Sequence, residues 1–444
     1  MNRSLASWIS VPVILPLMCG GCSVTVERDG SALEIGEFEA WAEPIPDAIA
    51  TGEAAFEGDF DRGITTLRPF EGRLWMGYGD ATRNLGSEIP VEFRWFAGAD
   101  DPVARTADVF AAGQGARQRN PGDTGEEQIE PYRMVAGSLW QPGVDSTNPD
   151  EAWTQTKAGT WRDVDGERVQ TKLIEGNVFK LESVDGEPIW RKYRNIPGGE
   201  HVHDIAGFGG SIYAVGSGAD HRFEFGNGKV FRYLWRSDDG GETFRTMLCV
   251  EVPAVGYDTR FRRLLASGDH LYVLGYLNPY QTEGPIEGRS IVVTHRDGIT
   301  EWVDLEGPLS EMLPLRTFPA PEGDWGLVVA RKGRSGSNHV FTVEGRTVAE
   351  LEGWRGRRVI DVQFLSDGAR FLVLAGSGRS GEGEPAEQFE ILSGSTLDPD
   401  RLSTVARFSD LEPRCFAVFQ GDVFLGTNDG RILRADLDPD DSGR

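Results

Sequence analysis

Seven times along this chain a short apolar segment restarts just after a turn that usually carries glycine, and this recurrence constrains the fold more than any other feature. The copies begin at Glu71-Gly72-Arg73-Leu74-Trp75, Ala136-Gly137-Ser138-Leu139-Trp140, Gly209-Gly210-Ser211-Ile212-Tyr213, Ser267-Gly268-Asp269-His270-Leu271, Glu322-Gly323-Asp324-Trp325, Asp367-Gly368-Ala369-Arg370-Phe371 and Gln420-Gly421-Asp422-Val423-Phe424. The turn glycines advance from Gly72 to Gly421 in steps averaging about 58 residues, a period of propeller blades rather than of helical solenoids. Glycine tolerates the positive φ that a tight hairpin needs, so each turn closes one strand and opens the next. The segments after the turns are rich in Leu, Tyr, Trp, Phe and Val, which suit a buried pleated surface. No blade hides both faces alone, and stacking the blades around an axis buries them between neighbours.

A chain of 444 residues is too long for one ordinary core, yet no linker, low-complexity tract or charge run divides it. With 57 Gly, 24 Pro and 12 Trp and without long amphipathic helical periods, its punctuation is that of an all-β protein. The expected fold is a seven-bladed β-propeller, with six blades as the alternative. The last copy, Pro413 to Leu437, has room for about three strands, so a segment such as Leu33 to Trp41 is expected to complete it. The propeller is assigned to residues 61–438, the ring-closing segment to 22–60, and a disordered tail to 439–444.

Arg3 precedes an apolar stretch from Trp8 to Met18, followed by Cys19-Gly20-Gly21-Cys22-Ser23, the three parts of a secretory signal over residues 1–21. Gly20 and Gly21 before Cys22 resemble a bacterial lipobox, and that resemblance implies lipidation of Cys22 and an extracytoplasmic, membrane-anchored protein, with simple secretion as the alternative. Beyond Cys22 only Cys249 and Cys415 remain, too few for a disulfide framework, and they read as two buried free thiols. The net charge of −25 is spread along the chain and argues against nucleic acid as a partner, since binding it needs a basic surface.

Ser237-Asp238-Asp239-Gly240-Gly241-Glu242-Thr243-Phe244 fits in full the pattern Ser, any residue, Asp, any residue, Gly, any residue, Thr, aromatic. It resembles the BNR (Asp-box) repeat of sialidase-type propellers. The resemblance implies a hairpin between the third and fourth strands of a blade, held by Ser237, Asp239, Gly241 and Thr243, with Phe244 packed inward. The segments Ser183 to Trp190 and Thr294 to Trp302 resemble eroded copies. Such boxes occur in sialidases, other glycosidases, assembly factors and receptors, so the resemblance implies a fold rather than one activity.

A propeller's natural site is the axial mouth, where inner strands converge. Counting seven residues back from each turn glycine gives Thr65, Glu130, His203, Phe261, Arg316, Asp361 and Arg414. The ionisable members, Glu130, His203, Arg316, Asp361 and Arg414, are the candidate ligand-binding residues for an anionic or polar ligand. The same ring also reads as charge pairing that ties the blades together. His201 and His203 alternate on one strand and could share a face toward a metal ion, but a third ligand is not evident, and neither metal nor cofactor is expected. Two polar, aspartate-bearing insertions, Gly79 to Asn84 and Pro142 to Asp150, follow equivalent strands and offer a ligand-facing rim or calcium site. No Walker loop, nucleophile elbow or His-Glu-x-x-His helix occurs. The sequence therefore points to a recognition or scaffolding module at a cell envelope, with an envelope protein or glycan as partner. A carbohydrate-active enzyme of sialidase-like glycosidase or lyase type, working at the axial mouth, is the alternative.

Overall fold

The second strand of each repeat is apolar at consecutive positions, and its neighbours explain why. In a computed structural model, Leu271 and Val273 pack against the preceding sheet while Tyr272 and Leu274 pack against the following one. Phe371, Val373 and Ala375 face one neighbour and Leu372 and Leu374 the other in the same way. Side chains alternate across a strand, so a strand sandwiched between two sheets must be apolar on both faces. The structure describes residues 33–45, 61–80, 91–111, 124–144, 161–164, 167–170, 175–184, 186–219, 230–251, 257–279, 287–288, 290–296, 299–321, 324–332, 338–377, 388–409 and 411–439.

The chain is an all-β propeller. Its described strands form seven sheets of four or five strands and one separate hairpin, Trp161–Val164 with Glu167–Gln170. Six sheets are each wound from one continuous stretch, with inner strands at Thr66–Phe70, Arg133–Val135, His201–Phe208, Tyr257–Ser267, Leu313–Pro319 and Arg357–Phe364. The remaining sheet joins both ends of the chain. Pro413–Phe419, Asp422–Thr427 and Ile432–Pro439 supply three strands, and the N-terminal Leu33–Ile35 and Glu39–Ala42 pair antiparallel with Ile432–Pro439. The expected N-terminal closing strand is thus present. The signal segment and Cys22 lie outside the described residues.

The first turns work as the sequence suggests. Glu71-Gly72, Ala136-Gly137 and Gln420-Gly421 each place two successive residues at positive φ, the geometry whose twist matches the flanking strands. The buried clusters lie between adjacent sheets rather than at a common centre, and the largest of them covers both faces of the first sheet. The boundary of the first and second sheets carries the largest rings: Phe93 stacks on Trp190 with centroids 4.0 Å apart, and Trp75 meets Trp190 edge-on at 5.3 Å. Cys415 is buried, but Cys249 is exposed on the outermost strand of the third sheet, correcting the expectation of two buried thiols.

Candidate functional site

Five inner strands carry a one-residue β-bulge at a corresponding place, and these bulges build the axial site. The register slips between Val202 and Asp204, Phe261 and Arg263, Pro314 and Arg316, Val359 and Asp361, and Pro413 and Cys415. The extra residues are therefore His203, Arg262, Leu315, Ile360 and Arg414. A bulge re-aims the side chains beside it. Counted from the bulge, the turn glycine follows after six to eight residues, so a fixed count of seven slips by one in three strands. Phe261 illustrates the correction: it is a core residue between the third and fourth sheets, and Arg262 is the true counterpart of His203.

The residues just after the bulges include Asp204, Arg263, Arg316 and Asp361, and these meet Glu130 and Arg133 of the second sheet. Glu130 accepts from Arg263 at 3.4 Å and lies 3.8 Å from Arg316, whose other nitrogen lies 3.8 Å from Asp361. Arg133 forks onto Asp204 with two 2.7 Å bonds and reaches across to the carbonyl and hydroxyl of Thr317 in the fifth sheet. Arg263 Nε donates to the Leu315 carbonyl at 2.6 Å. The network thus ties together sheets two to six around the axis.

Both aspartates also staple neighbouring sheets. Asp204 accepts the amide of Ile205 and, at 2.9 Å, the amide of Leu264 in the next sheet. Asp361 repeats this with Val362 and, at 3.2 Å, Phe416. The same role falls elsewhere to hydroxyl and thiol donors, as Thr65 Oγ1 donates to the Ile129 carbonyl and Cys415 Sγ to the Ile64 carbonyl.

Electrostatics follow from burial and the guanidinium groups. Burial works to raise the proton affinity of Glu130, but Arg316, Arg263, Arg262 and Arg133 together hold it below the ordinary glutamate value. Asp361 is raised by burial despite Arg316. Burial also lowers Arg263 to about 10, leaving it charged at neutral pH. His203 is pushed well below the usual histidine range by burial and then by Arg260, His201, Arg262 and Arg263, so it is neutral.

Of the five candidate residues, Glu130, Arg316 and Asp361 are brought into direct contact. His203 is adjacent, its Nε2 3.5 Å from Ser217 Oγ and its ring 5.8 Å from that of His201. Among the described residues no group of three or more His, Cys, Asp or Glu side chains converges to hold a metal ion. Arg414 stands apart, paired with Asp61 and donating to Asn428 Oδ1 at 3.2 Å. Arg68, Arg133, Asp204, Arg262 and Arg263 were missed by counting from the turns. The adjacent ionisable pairs His203-Asp204 and Arg262-Arg263, each directly before an apolar run, were the available signal.

The insertions after Tyr78 and Gln141 begin side by side, since Gln128 bridges to both Gly79 and Val144. Residues 81–84 and 145–150, where the rim or calcium site was expected, lie outside the described residues. The Ser237 to Thr243 segment joins the third and fourth strands of the third sheet. Asp239 accepts from Ser237 Oγ at 2.7 Å, from the Thr243 amide at 2.9 Å and from its hydroxyl at 2.5 Å. Gly241 is required twice: its φ is +98°, and a Cβ there would sit 2.5 Å from the Trp140 ring. Phe244 is buried with Trp140 and Trp235.

No family model and no curated protein matches the chain. Among solved structures, it is similar to a Mycobacterium tuberculosis puromycin-hydrolyzing peptidase at 13% identity and TM-score 0.46, covering 93% of this chain and 55% of that one. The chain thus spans about half the length of that peptidase. It is also similar to the β-propeller domain of the Trilobed protease from Pyrococcus furiosus, at 9% identity and TM-score 0.45, covering 87% of this chain and 96% of that one. A polysaccharide lyase described as an ulvan lyase gives 11% identity and TM-score 0.44, covering 92% and 95%.

Proposed function

We propose that this protein is an extracytoplasmic, lipid-anchored propeller acting as a recognition or scaffolding module at a bacterial cell envelope, presenting its axial mouth to an envelope protein or glycan. The observation that carries a binding rather than catalytic reading is the occupation of the axial acids. Both carboxylates of the stapling pair are engaged by backbone amides of two sheets, and Glu130 is shared between two arginines. Catalysis needs convergent groups free to exchange protons, whereas binding needs shape and fixed polar contacts. The lipobox-like Cys22 supports the anchor, and the bonding of the Ser237 to Thr243 turn supports the Asp-box reading.

One observation favours the alternative, a glycosidase or lyase at the axial mouth. Glu130 and Asp361 flank Arg316 with proton affinities pushed in opposite directions, as an acid and base pair would be. Against it stands the 8% exposure of the Asp361 side chain. Cell fractionation tests the main reading: the chain is expected in the membrane fraction and the Cys22→Ala chain in the soluble extracytoplasmic fraction. A cytoplasmic wild-type chain, or release of saccharide products by the purified protein, would overturn it.

A further inference from the structure

The axial cluster of charged side chains holds more positive charge than its own acids satisfy. Arg68, Arg133, Arg262, Arg263 and Arg316 stand against Glu130, Asp204 and Asp361, and they do so in a chain whose overall charge is −25. Three of the five arginines consume the three acids through the contacts described above. The other two have none. Among the described residues Arg68 and Arg262 make no ion pair, and the Nε of each is buried without a hydrogen-bond partner. Arg68 lies close enough to Arg133 and Asp361, and Arg262 to Glu130, His203 and Arg263, for their charges to act on one another. Both therefore belong to the same network, Arg68 toward Arg133 and Asp361 and Arg262 toward Glu130 and Arg263.

Both side chains are half-buried, and an Nε that meets neither water nor a partner, beside other guanidiniums, is unfavourable unless something else supplies negative charge. Arginine's planar fork matches carboxylate, sulfate and phosphate oxygens in pairs. We propose that the axial cluster is an oxyanion site to which Arg68 and Arg262 each offer an unpaired guanidinium for the anionic groups of the ligand, with Arg133, Arg263 and Arg316 fixed beside them by Asp204, Glu130 and Asp361. This inference rests on the reading of the axial mouth as the recognition surface and names the chemistry recognised there: a carboxylate, sulfate or phosphate ester carried by a glycan or other envelope component. The four built ion pairs supply rigidity, and the two unpaired arginines supply selectivity.

The test is thermal unfolding and titration calorimetry on the full chain in chloride buffer, with sulfate, phosphate or glucuronate exchanged in at matched ionic strength. An anion at a hundred times its dissociation constant is expected to raise the midpoint by roughly 3 °C. Which anion acts most strongly separates sulfated, phosphorylated and carboxylated sources. Arg68→Met and Arg262→Met are expected to lose the shift. Arg358→Met is the control, because Arg358 also has a buried unpartnered Nε but stacks on Phe389 at 5.6 Å. It is expected to keep the shift. If the methionine variants do not fold, Arg68→Lys keeps the charge without the fork and is expected to weaken binding about tenfold by calorimetry. Absence of binding by the wild-type chain, or an unchanged shift in both axial variants, overturns the proposal. Capture of an envelope protein by a chain that binds no oxyanion would sink this inference while leaving the recognition reading intact.

Discussion

Arg133 and Asp204 meet across the boundary of the second and third sheets through two parallel 2.7 Å hydrogen bonds, with the Asp204 carboxylate fully buried. Asp204 simultaneously holds the Leu264 amide of the fourth sheet, so one carboxylate joins three sheets. Arg133→Met leaves that carboxylate buried with amides alone. Breaking a buried pair by removing one partner costs about 3–5 kcal/mol. The expected result is a loss of that order in urea unfolding, with little loss if Asp204→Asn is combined with it. A cost below about 1 kcal/mol for the single variant would mean that the pair is not what fixes this boundary.

His203 gives the axis a pH dependence with a definite sign. Its proton affinity in the fold is well below the usual histidine value near 6.5, because burial and the nearby arginines disfavour the charged ring. A group whose folded value is depressed contributes stability above its unfolded value and loses it as pH falls. The wild-type chain is therefore expected to lose stability between about pH 7 and pH 5. His203→Gln is expected to flatten that part of the profile, measured by unfolding midpoints at several pH values. Parallel profiles for the two chains would contradict the assignment.

Asp239 behaves in the same sense at lower pH. The Thr243 hydroxyl and amide, with Ser237, hold its carboxyl down at about 2. Its bonds are present above pH 4 and lost as pH falls toward 2. Asp239→Ala is expected to cost about 1 kcal/mol at neutral pH, the scale of a lost turn-holding side chain. The gap between wild type and variant is expected to close on acidification to pH 3 and below. A gap independent of pH would assign the turn's stability to Gly241 and Phe244 rather than to the carboxylate.

Much of the architecture was legible because it rests on local chemistry. Runs such as Leu271 to Leu274 and Phe371 to Ala375 are apolar on both faces, which only a strand between two sheets requires. Pairs such as Ala136-Gly137 mark their own turns through positive φ. Leu33 to Trp41 was legible as the missing strand because the last repeat was visibly one strand short. The axial site was only partly legible, because a bulge is a property of two paired strands. Glu130, Arg316 and Asp361 were found, but nothing in the sequence around Phe261 says that the register slips after it and hands its place to Arg262. Arg68 and Arg133 were missed for a different reason: they lie nearer the turn than the counted position, and only the assembled ring brings them to Asp361 and Asp204.

Ring closure depends on Trp41, which makes the N-terminal strand testable. Its indole Nε1 donates to the Ala99 carbonyl of the first sheet at 2.9 Å, and its ring packs on Phe96 at 4.6 Å and Phe424 at 4.8 Å. It thereby bridges the sheet built from both chain ends to the first sheet. Arg434, on the strand that pairs with Glu39–Ala42, reaches the same Ala99 carbonyl at 3.0 Å, so the junction is held from both ends of the chain. Trp41→Ala removes two aromatic contacts and one hydrogen bond from a half-buried position, and is expected to cost about 3 kcal/mol, toward the lower end for a tryptophan truncation. Because the first strand to be released is the one that closes the ring, amide exchange is expected to rise first in Ile432–Pro439 and Glu39–Ala42, before the inner strands open. Uniform loss of protection across all sheets would show instead that the ring unfolds as one unit and that closure is not its weakest joint.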